Sequence, residues 1–87
     1  MLHSAQVRAA RGLLGWAQGE LARQAKVSII TVQRIEKAGG PVMSHTSTLV
    51  KIQEAFERAG IRFIDEDESG GIGVRLVKPR PKRARKG

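Results

Sequence analysis

The sequence predicts a mostly α-helical domain of four short helices, followed by a short β-hairpin and a basic tail. Through the first sixty residues, apolar side chains recur every three or four positions, which is typical of amphipathic helices. After Gly60 the spacing changes to two, as in half-buried strands. Eighty-seven residues without a cysteine can bury one modest core. That core must be held by packing, because disulfides are excluded.

The first two helices follow from apolar stripes and end signals. We expect the first helix to run from Ser4, as its N-cap, to Leu14, and to be closed by Gly15. The second helix is predicted over residues 18–25. Gly12 lies inside the first helix, where glycine costs up to about 1 kcal/mol relative to alanine. A close helix crossing would explain it.

The third helix is predicted from Ser28, its N-cap, to Lys37. Val27 and Val32 have the spacing of a hydrophobic staple across that cap. Val32 and Ile35 then define the side of the helix that faces the core. Two adjacent isoleucines in the first turn cannot both join them on that side.

The remaining elements are a fourth helix, a hairpin and the tail. The helix is expected to begin at Ser47 or Thr48 and to end at Ala59, before Gly60. Alternating apolar residues then predict strands near 61–65 and 73–77, joined by an acidic, glycine-rich tip. Residues 78–87 are too charged and too rich in proline to pack, so they are predicted to be disordered.

Charge points to a polyanionic partner. Sixteen Lys and Arg against eight Asp and Glu give +8, but six of the positive charges fall in residues 78–87. Residues 1–77 carry ten positive and eight negative charges and are nearly balanced. No apolar run is long enough to span a membrane and no signal-peptide pattern is present, so a cytoplasmic protein without a membrane partner is expected.

Two short helices joined by a tight turn form a helix-turn-helix. The stretch "QGELARQAKVSIITVQRIEKAGG" resembles the phage-repressor-type (XRE-type, lambda-repressor-like) helix-turn-helix DNA-binding family. The matching residues are Gln18, Glu20-Leu21-Ala22, Val27-Ser28 and Ile35-Glu36. The resemblance covers residues 4–60. It implies that residues 1–60 form a compact four-helix lambda-repressor-like domain that binds double-stranded DNA.

The resemblance also implies roles for individual residues. An ion pair between Arg11 and Glu36 would fix the first helix against the third. The amide of Gln18 would contact a DNA phosphate at the start of the second helix; alternatively, Gln18 only caps its helix. In the family the loop before the fourth helix, here Ser44, His45 and Thr46, touches the sugar-phosphate backbone, although His45 could equally be a plain surface residue.

On a helical wheel, four residues of the third helix point away from the core: Ile30, Gln33, Arg34 and Lys37. The family contacts base edges with this face, so Gln33 is expected to bind adenine and Arg34 a guanine or a phosphate. Lys37 is expected on a phosphate. The alternative is a solvated helix face. Together with Ser28 and Ile29 on its flank and the residues named above, this face completes the expected DNA-binding set.

The isoleucine pair has three interpretations. Ile29 and Ile30 could contact thymine methyl groups or form a protein–protein surface. In the third, Ile29 is half-buried against the second helix and only Ile30 is exposed. We favour a combination, with Ile29 partly buried and Ile30 against a thymine methyl.

The function expected from these patterns is that of a bacterial transcriptional regulator. It would be a dimeric repressor that binds a palindromic operator with the helix over 28–37 in the major groove. The hairpin, residues 61–77, stands where the family commonly has a fifth helix and is expected to mediate the homodimer.

Two other functions remain open. One is an antitoxin or other module that binds a second protein such as a toxin. The other is a nonspecific nucleic-acid binder driven by the basic tail. As a regulator, the protein could also activate transcription through contact with RNA polymerase. Neither a nucleophile–base arrangement nor a metal-ligand cluster is evident, so no enzyme activity, cofactor or metal is expected.

Overall fold

Four helices and one antiparallel hairpin make up residues 2–77, the part of the chain that the computed structural model describes. The tail predicted for residues 78–87 lies outside the described residues. The elements are α1 (Ser4–Leu14), α2 (Gln18–Ala25), α3 (Ile29–Lys37), α4 (Thr46–Arg58), β1 (Ile61–Ile64) and β2 (Gly73–Leu76). The prediction of a mostly helical domain with a terminal hairpin is confirmed. Within residues 2–77, no helix has the length and apolar character needed to cross a bilayer.

The start of α1 differs from the prediction. His3, not Ser4, is the N-cap: its Nδ1 accepts a hydrogen bond from the Ala5 N–H at 3.0 Å. The Gln6 side chain completes a capping box by accepting from the His3 N–H at 3.0 Å. Ser4 is the first helical residue and is buried. The prediction was wrong because it followed the preference for Ser at N-caps, whereas a neutral imidazole nitrogen can accept the same bond.

Two other helix ends depend on local signals that the sequence displays, and the start of α4 does not. Gly15 closes α1 in the left-handed conformation, with φ of 70°. Ser28 caps α3, since its Oγ accepts from the Thr31 N–H at 3.0 Å. The fourth helix begins one or two residues earlier than predicted, at Thr46, with His45 as an N-cap that makes no side-chain bond. Without such a bond, the start of α4 has no side-chain signal in the sequence.

Phe56 of α4 occupies the centre of the core and is completely buried. Its ring stacks on Trp16 at 5.7 Å between centroids and meets Phe63 of β1 edge-on at 5.9 Å. Trp16 lies in the connection from α1 to α2. The three rings in contact therefore link that connection, α4 and the hairpin. The other large side chains with less than 2 % exposure are Leu21, Ile35, Ile52, Val7 and Val32.

The hairpin is packed on the helices of its own chain. Its register pairs Ile61 with Leu76 and Phe63 with Val74, and these four side chains face the helical core. Gln6 of α1 fastens the other end: its Nε2 donates to the Gly73 carbonyl at 3.0 Å and to the Ile64 carbonyl at 3.3 Å. The apolar side of the hairpin is therefore used within the chain.

Gly12 is not explained by a close crossing within the chain. A Cβ added there would meet no heavy atom of the described residues within 4 Å, and Gly12 lies exposed on α1. Gly12→Ala should therefore raise the free energy of unfolding by about 0.5–1 kcal/mol, since alanine has the higher helix propensity. Urea denaturation at low protein concentration measures this. A destabilised variant would mean that the glycine has a contact that residues 2–77 of one chain do not make.

Candidate nucleic-acid interface

The outer side of α3 is a continuous exposed face. Val32 and Ile35 are buried at 0 % and 1 % exposure, which orients the helix. The opposite side presents Ile30, which is 71 % exposed, together with the exposed side chains of Gln33, Arg34 and Lys37. The structure thus brings together the four residues that the helical wheel placed outward.

The two adjacent isoleucines differ in their surroundings. Ile29 is 44 % exposed, against 71 % for Ile30. The Cδ1 of Ile29 lies 3.8 Å from the point that a Cβ on Gly19 would occupy, so its side chain rests against the first turn of α2. Ile29 is therefore less exposed than Ile30, and it contacts α2. Ile30 has no such role in the fold.

A buried carboxylate fixes α3 against the two preceding helices. Glu36 is 5 % exposed, and Arg11 of α1 forms a two-point bond with it: Nε lies 2.6 Å from Oε2, and Nη2 lies 2.8 Å from Oε1. Gln18 of α2 donates from Nε2 to the same Oε1 at 3.0 Å. Arg8 donates to the Glu36 backbone carbonyl. The ion pair expected between Arg11 and Glu36 is formed, and the Gln18 amide binds the same carboxylate.

The network keeps Glu36 ionised. Burial raises the pKa of its carboxyl group. The hydrogen bonds from Arg11 and Gln18 lower this pKa, as do the positive charges of Arg11 and Arg8. The net result is a pKa below the ordinary value of glutamate. The hydrogen bond to Glu36 in turn raises the pKa of Arg11. Both members are charged at neutral pH, so the geometry of the pair persists there.

Gln18 is the first residue of α2, and its side chain does not cap the helix. The N-cap is Ala17, which makes no side-chain bond. Gln18 Nε2 carries two hydrogens, and Glu36 accepts one of them. The other N–H and the amide oxygen have no partner among residues 2–77. The first-turn backbone N–H groups of α2 lie beside them without a side-chain cap, so this corner offers several donors at once.

Arg34 connects the face of α3 to the loop before α4. Its Nη1 lies 3.4 Å from the Met43 carbonyl, and its Nη2 lies 3.4 Å from Ser44 Oγ. Both distances are long for hydrogen bonds, so these contacts orient the guanidinium toward the loop but hold it only weakly. His45 and Thr46 follow at the exposed start of α4. Met43, which the sequence analysis did not single out, is 80 % exposed next to this arginine.

We call the exposed set Ile30, Gln33, Arg34 and Lys37 the α3 face. Around it lie Gln18 on one side and the loop of Met43 and Ser44 on the other. Chemically the set offers an amide, two permanent cations and one aliphatic side chain. Among the residues described, 2–77, no group of three or more His, Cys, Asp or Glu could hold a metal ion.

The chain was compared with known proteins. No protein-family model matches it, and a search of curated proteins finds no match.

Proposed function

We propose that this protein is a sequence-specific DNA-binding transcriptional regulator of the phage-repressor-type helix-turn-helix family that its sequence resembles. In this proposal α3 lies in the major groove with the α3 face toward the bases. The observation that carries it is the exposed α3 face on a helix held by the Glu36 network. The face offers an amide, two cations and an isoleucine, all exposed, and they match what base edges and phosphates bind.

Dimensions support this placement. The nine residues of α3 extend about 13 Å, and a helix of about 10–12 Å diameter enters a major groove about 12 Å wide. Precise contacts also need a rigid helix. Three side chains from α1 and α2 bind Glu36 at the carboxyl end of α3, and Ser28 caps its amino end.

Each residue of the face has a partner in this arrangement. Gln33 can form two hydrogen bonds with adenine, and Ile30 can contact a thymine methyl group. Arg34 can reach a guanine or, over the loop, a phosphate, and Lys37 a phosphate. Gln18 would use the N–H that Glu36 leaves unused for a phosphate, next to the amino end of α2. Phosphate contacts of this kind position the protein, and the contacts of α3 select the sequence.

The mode of action proposed is repression by occupying a promoter in a bacterial cytoplasm. A dimer would bind two half-sites about one helical turn, roughly 34 Å, apart. The operator would then be a rough palindrome that mirrors the two-fold symmetry of the protein.

Footprinting on the DNA around the protein's own gene tests the proposal. Gln33→Ala and Ile30→Ala should each weaken binding to the protected site by about 10- to 100-fold, as expected for loss of a base contact. Gln53→Ala is a matched control, because Gln53 is an exposed glutamine on α4 away from the α3 face. Unchanged affinity of both α3 variants for the same site would refute the assignment of the face.

A second candidate function has an observation in its favour. Ile30 and Met43, at 71 % and 80 % exposure, are the two most exposed large apolar side chains of residues 2–77, and Arg34 lies next to both. Such side chains often mark a protein contact. If the protein neutralises a toxin through this surface, Ile30→Ala will weaken capture of that partner and leave DNA affinity unchanged.

A further inference from the structure

A basic cleft lies between the carboxyl end of α2 and the exposed side of α4. Its volume is about 450 Å³, within the roughly 300–1,000 Å³ that is usual for small-molecule sites. Four of its seven lining residues are cations: Arg23 and Lys26 at the end of α2, and Lys51 and Arg58 on α4. Among these described lining residues, Glu54 is the single carboxylate. We call the five charged residues the α2–α4 cleft.

Three of the cations have no carboxylate partner among the described residues. Arg23 differs, because Glu20 binds and neutralises it. Arg58 donates to a backbone carbonyl of α2, and the side chains of Lys26 and Lys51 form no hydrogen bond or ion pair in the described part of the chain. Three unpaired cations and one carboxylate leave a local charge of +2 in the cleft. Such a concentration of positive charge favours an anion.

Lys26 has a backbone conformation that glycine normally takes. It ends α2 with φ of 60° and ψ of 45°, and no other non-glycine residue among those described has a positive φ. Glycine is usual at such a helix end because a Cβ is strained there, and strained residues are frequent at ligand sites. The dipole of α2 favours a cation at its carboxyl end, but it does not account for Lys51, which lies in the amino-terminal half of α4. Neither lysine is explained by helix formation alone.

The two walls of the cleft are joined. Arg58 Nη2 donates to the Gln24 carbonyl at 3.1 Å, which holds the guanidinium at the end of α2. A guanidinium has five N–H donors, so others remain for a ligand. Lys51, Glu54 and Arg58 are three or four residues apart and share one side of α4. A held guanidinium beside two flexible lysine side chains is a combination that binds phosphate oxygens.

We propose that the α2–α4 cleft binds a small anion that carries one or two phosphate groups. Each phosphate ester has a charge of about −1.5 to −2 at pH 7, so one or two of them balance the unpaired cations. The uncharged lining residues are Gln24 and Ala25, and no aromatic side chain of the described chain lines the cleft. The ligand would therefore be held by its phosphates and not by stacking of a base. The cleft shares no residue with the α3 face, so the site is separate from the proposed base contacts.

Titration of the full chain with pyrophosphate, without DNA, tests the inference. Amide chemical shifts report binding residue by residue, so anion bound by the six cations of residues 78–87 is distinguished from anion in the cleft. The amides at the end of α2 and along the charged side of α4 should shift together with one dissociation constant. Shifts confined to residues 78–87, or spread evenly over all exposed cations, would overturn the inference.

Three variants test the charges of the cleft. Lys51→Gln should weaken the affinity measured in the cleft about two- to fivefold, as for the loss of one exposed ionic contact. Glu54→Gln should strengthen it by a similar factor, because the repelling carboxylate is removed. Arg75→Gln removes an exposed cation of β2 outside the cleft and should leave the affinity unchanged. Equal effects of Lys51→Gln and Arg75→Gln would reduce the binding to overall charge and exclude a defined site.

Lys26→Gly separates binding from folding. Glycine relieves the left-handed backbone, so the midpoint of thermal unfolding should not fall. The affinity for pyrophosphate should still decrease about two- to fivefold, because one cation of the cleft is lost. An unchanged affinity would show that the lysine does not serve the cleft, contrary to the inference.

A DNA backbone offers the same phosphate chemistry, and binding to an operator duplex distinguishes the two sources. If Lys51→Gln keeps the operator affinity of the wild-type protein, the ligand of the cleft is a free anion, as inferred. If it loses operator affinity by the same factor as pyrophosphate affinity, the cleft holds DNA backbone and the inference fails. The inference goes beyond the proposed function: pyrophosphate binding in the cleft of a protein that binds no DNA would contradict that function alone.

Discussion

Arg11→Met should lower the free energy of unfolding by about 3–5 kcal/mol, the range found when one partner of a buried ion pair is removed. Methionine keeps much of the packing of the arginine stem but removes both bonds to Glu36. Glu36, 5 % exposed, would keep only the Gln18 amide on its carboxylate. Because small domains have only about 5–15 kcal/mol of stability in total, this loss is large. Urea denaturation at pH 7 measures it.

The pH dependence of the same variant identifies the cause. The folded pKa of Glu36 lies below its unfolded value, so the pair contributes fully above about pH 4.3, the unfolded pKa of glutamate. That contribution disappears as the pH falls through the folded pKa. The difference in stability between the wild-type protein and Arg11→Met should therefore narrow from pH 7 to pH 3. A constant difference would assign the effect to packing and to the lost bond from Arg11 to the Trp16 carbonyl, instead of to the charge of Glu36.

An exposed ion pair on α2 provides the control. Arg23 pairs with Glu20, and 70 % of the Arg23 side chain is exposed. Exposed pairs contribute about 0–1 kcal/mol, because water screens them and long side chains lose freedom. Arg23→Met should therefore lower the stability at pH 7 far less than Arg11→Met does. A loss equal to that of Arg11→Met would show that burial does not distinguish the two pairs.

The elements of this fold were predictable where one residue type dictates the local backbone. Gly15 and Ser28 marked helix ends that the structure has. The first cap was mispredicted, because His3 and Gln6 together satisfy the amino end of α1 while Ser4 turns inward. The fastening of the hairpin was also missed. Gln6 reaches residues 58 and 67 positions away, and no local pattern encodes such a contact.

For the candidate site, the sequence predicted which side chains point outward better than it predicted which residues they contact. A helical wheel was enough to turn Ile30 and Gln33 outward, because the buried Val32 and Ile35 fix the rotation of α3. The wheel could not show that Gln18 is held by Glu36, since that contact joins two helices across 18 positions of sequence. The tilt of Arg34 toward the loop was also missed, because it depends on how α4 is placed.

Removing residues 78–87 should weaken binding to all DNA sequences by a similar factor and should leave the sequence preference unchanged. The segment carries six of the sixteen positive charges, and residues 1–77 keep a net charge of only +2. Each phosphate that a Lys or Arg neutralises adds about 0.9 to the slope of log affinity against log salt. Removing six such charges should reduce that slope by up to about 5.

The salt titration separates the two parts of the proposed interface. Between 50 and 200 mM salt, the full chain should lose about 10³-fold more affinity than the chain ending at Val77. Gln33→Ala should instead lose specific affinity with little change in slope, because it removes a base contact and no charge. Electrophoretic mobility shifts with operator and scrambled duplexes, at four salt concentrations, measure both quantities. If truncation abolished the preference for the operator while keeping affinity for scrambled DNA, the basic segment would select the sequence, and the α3 face would lose that role.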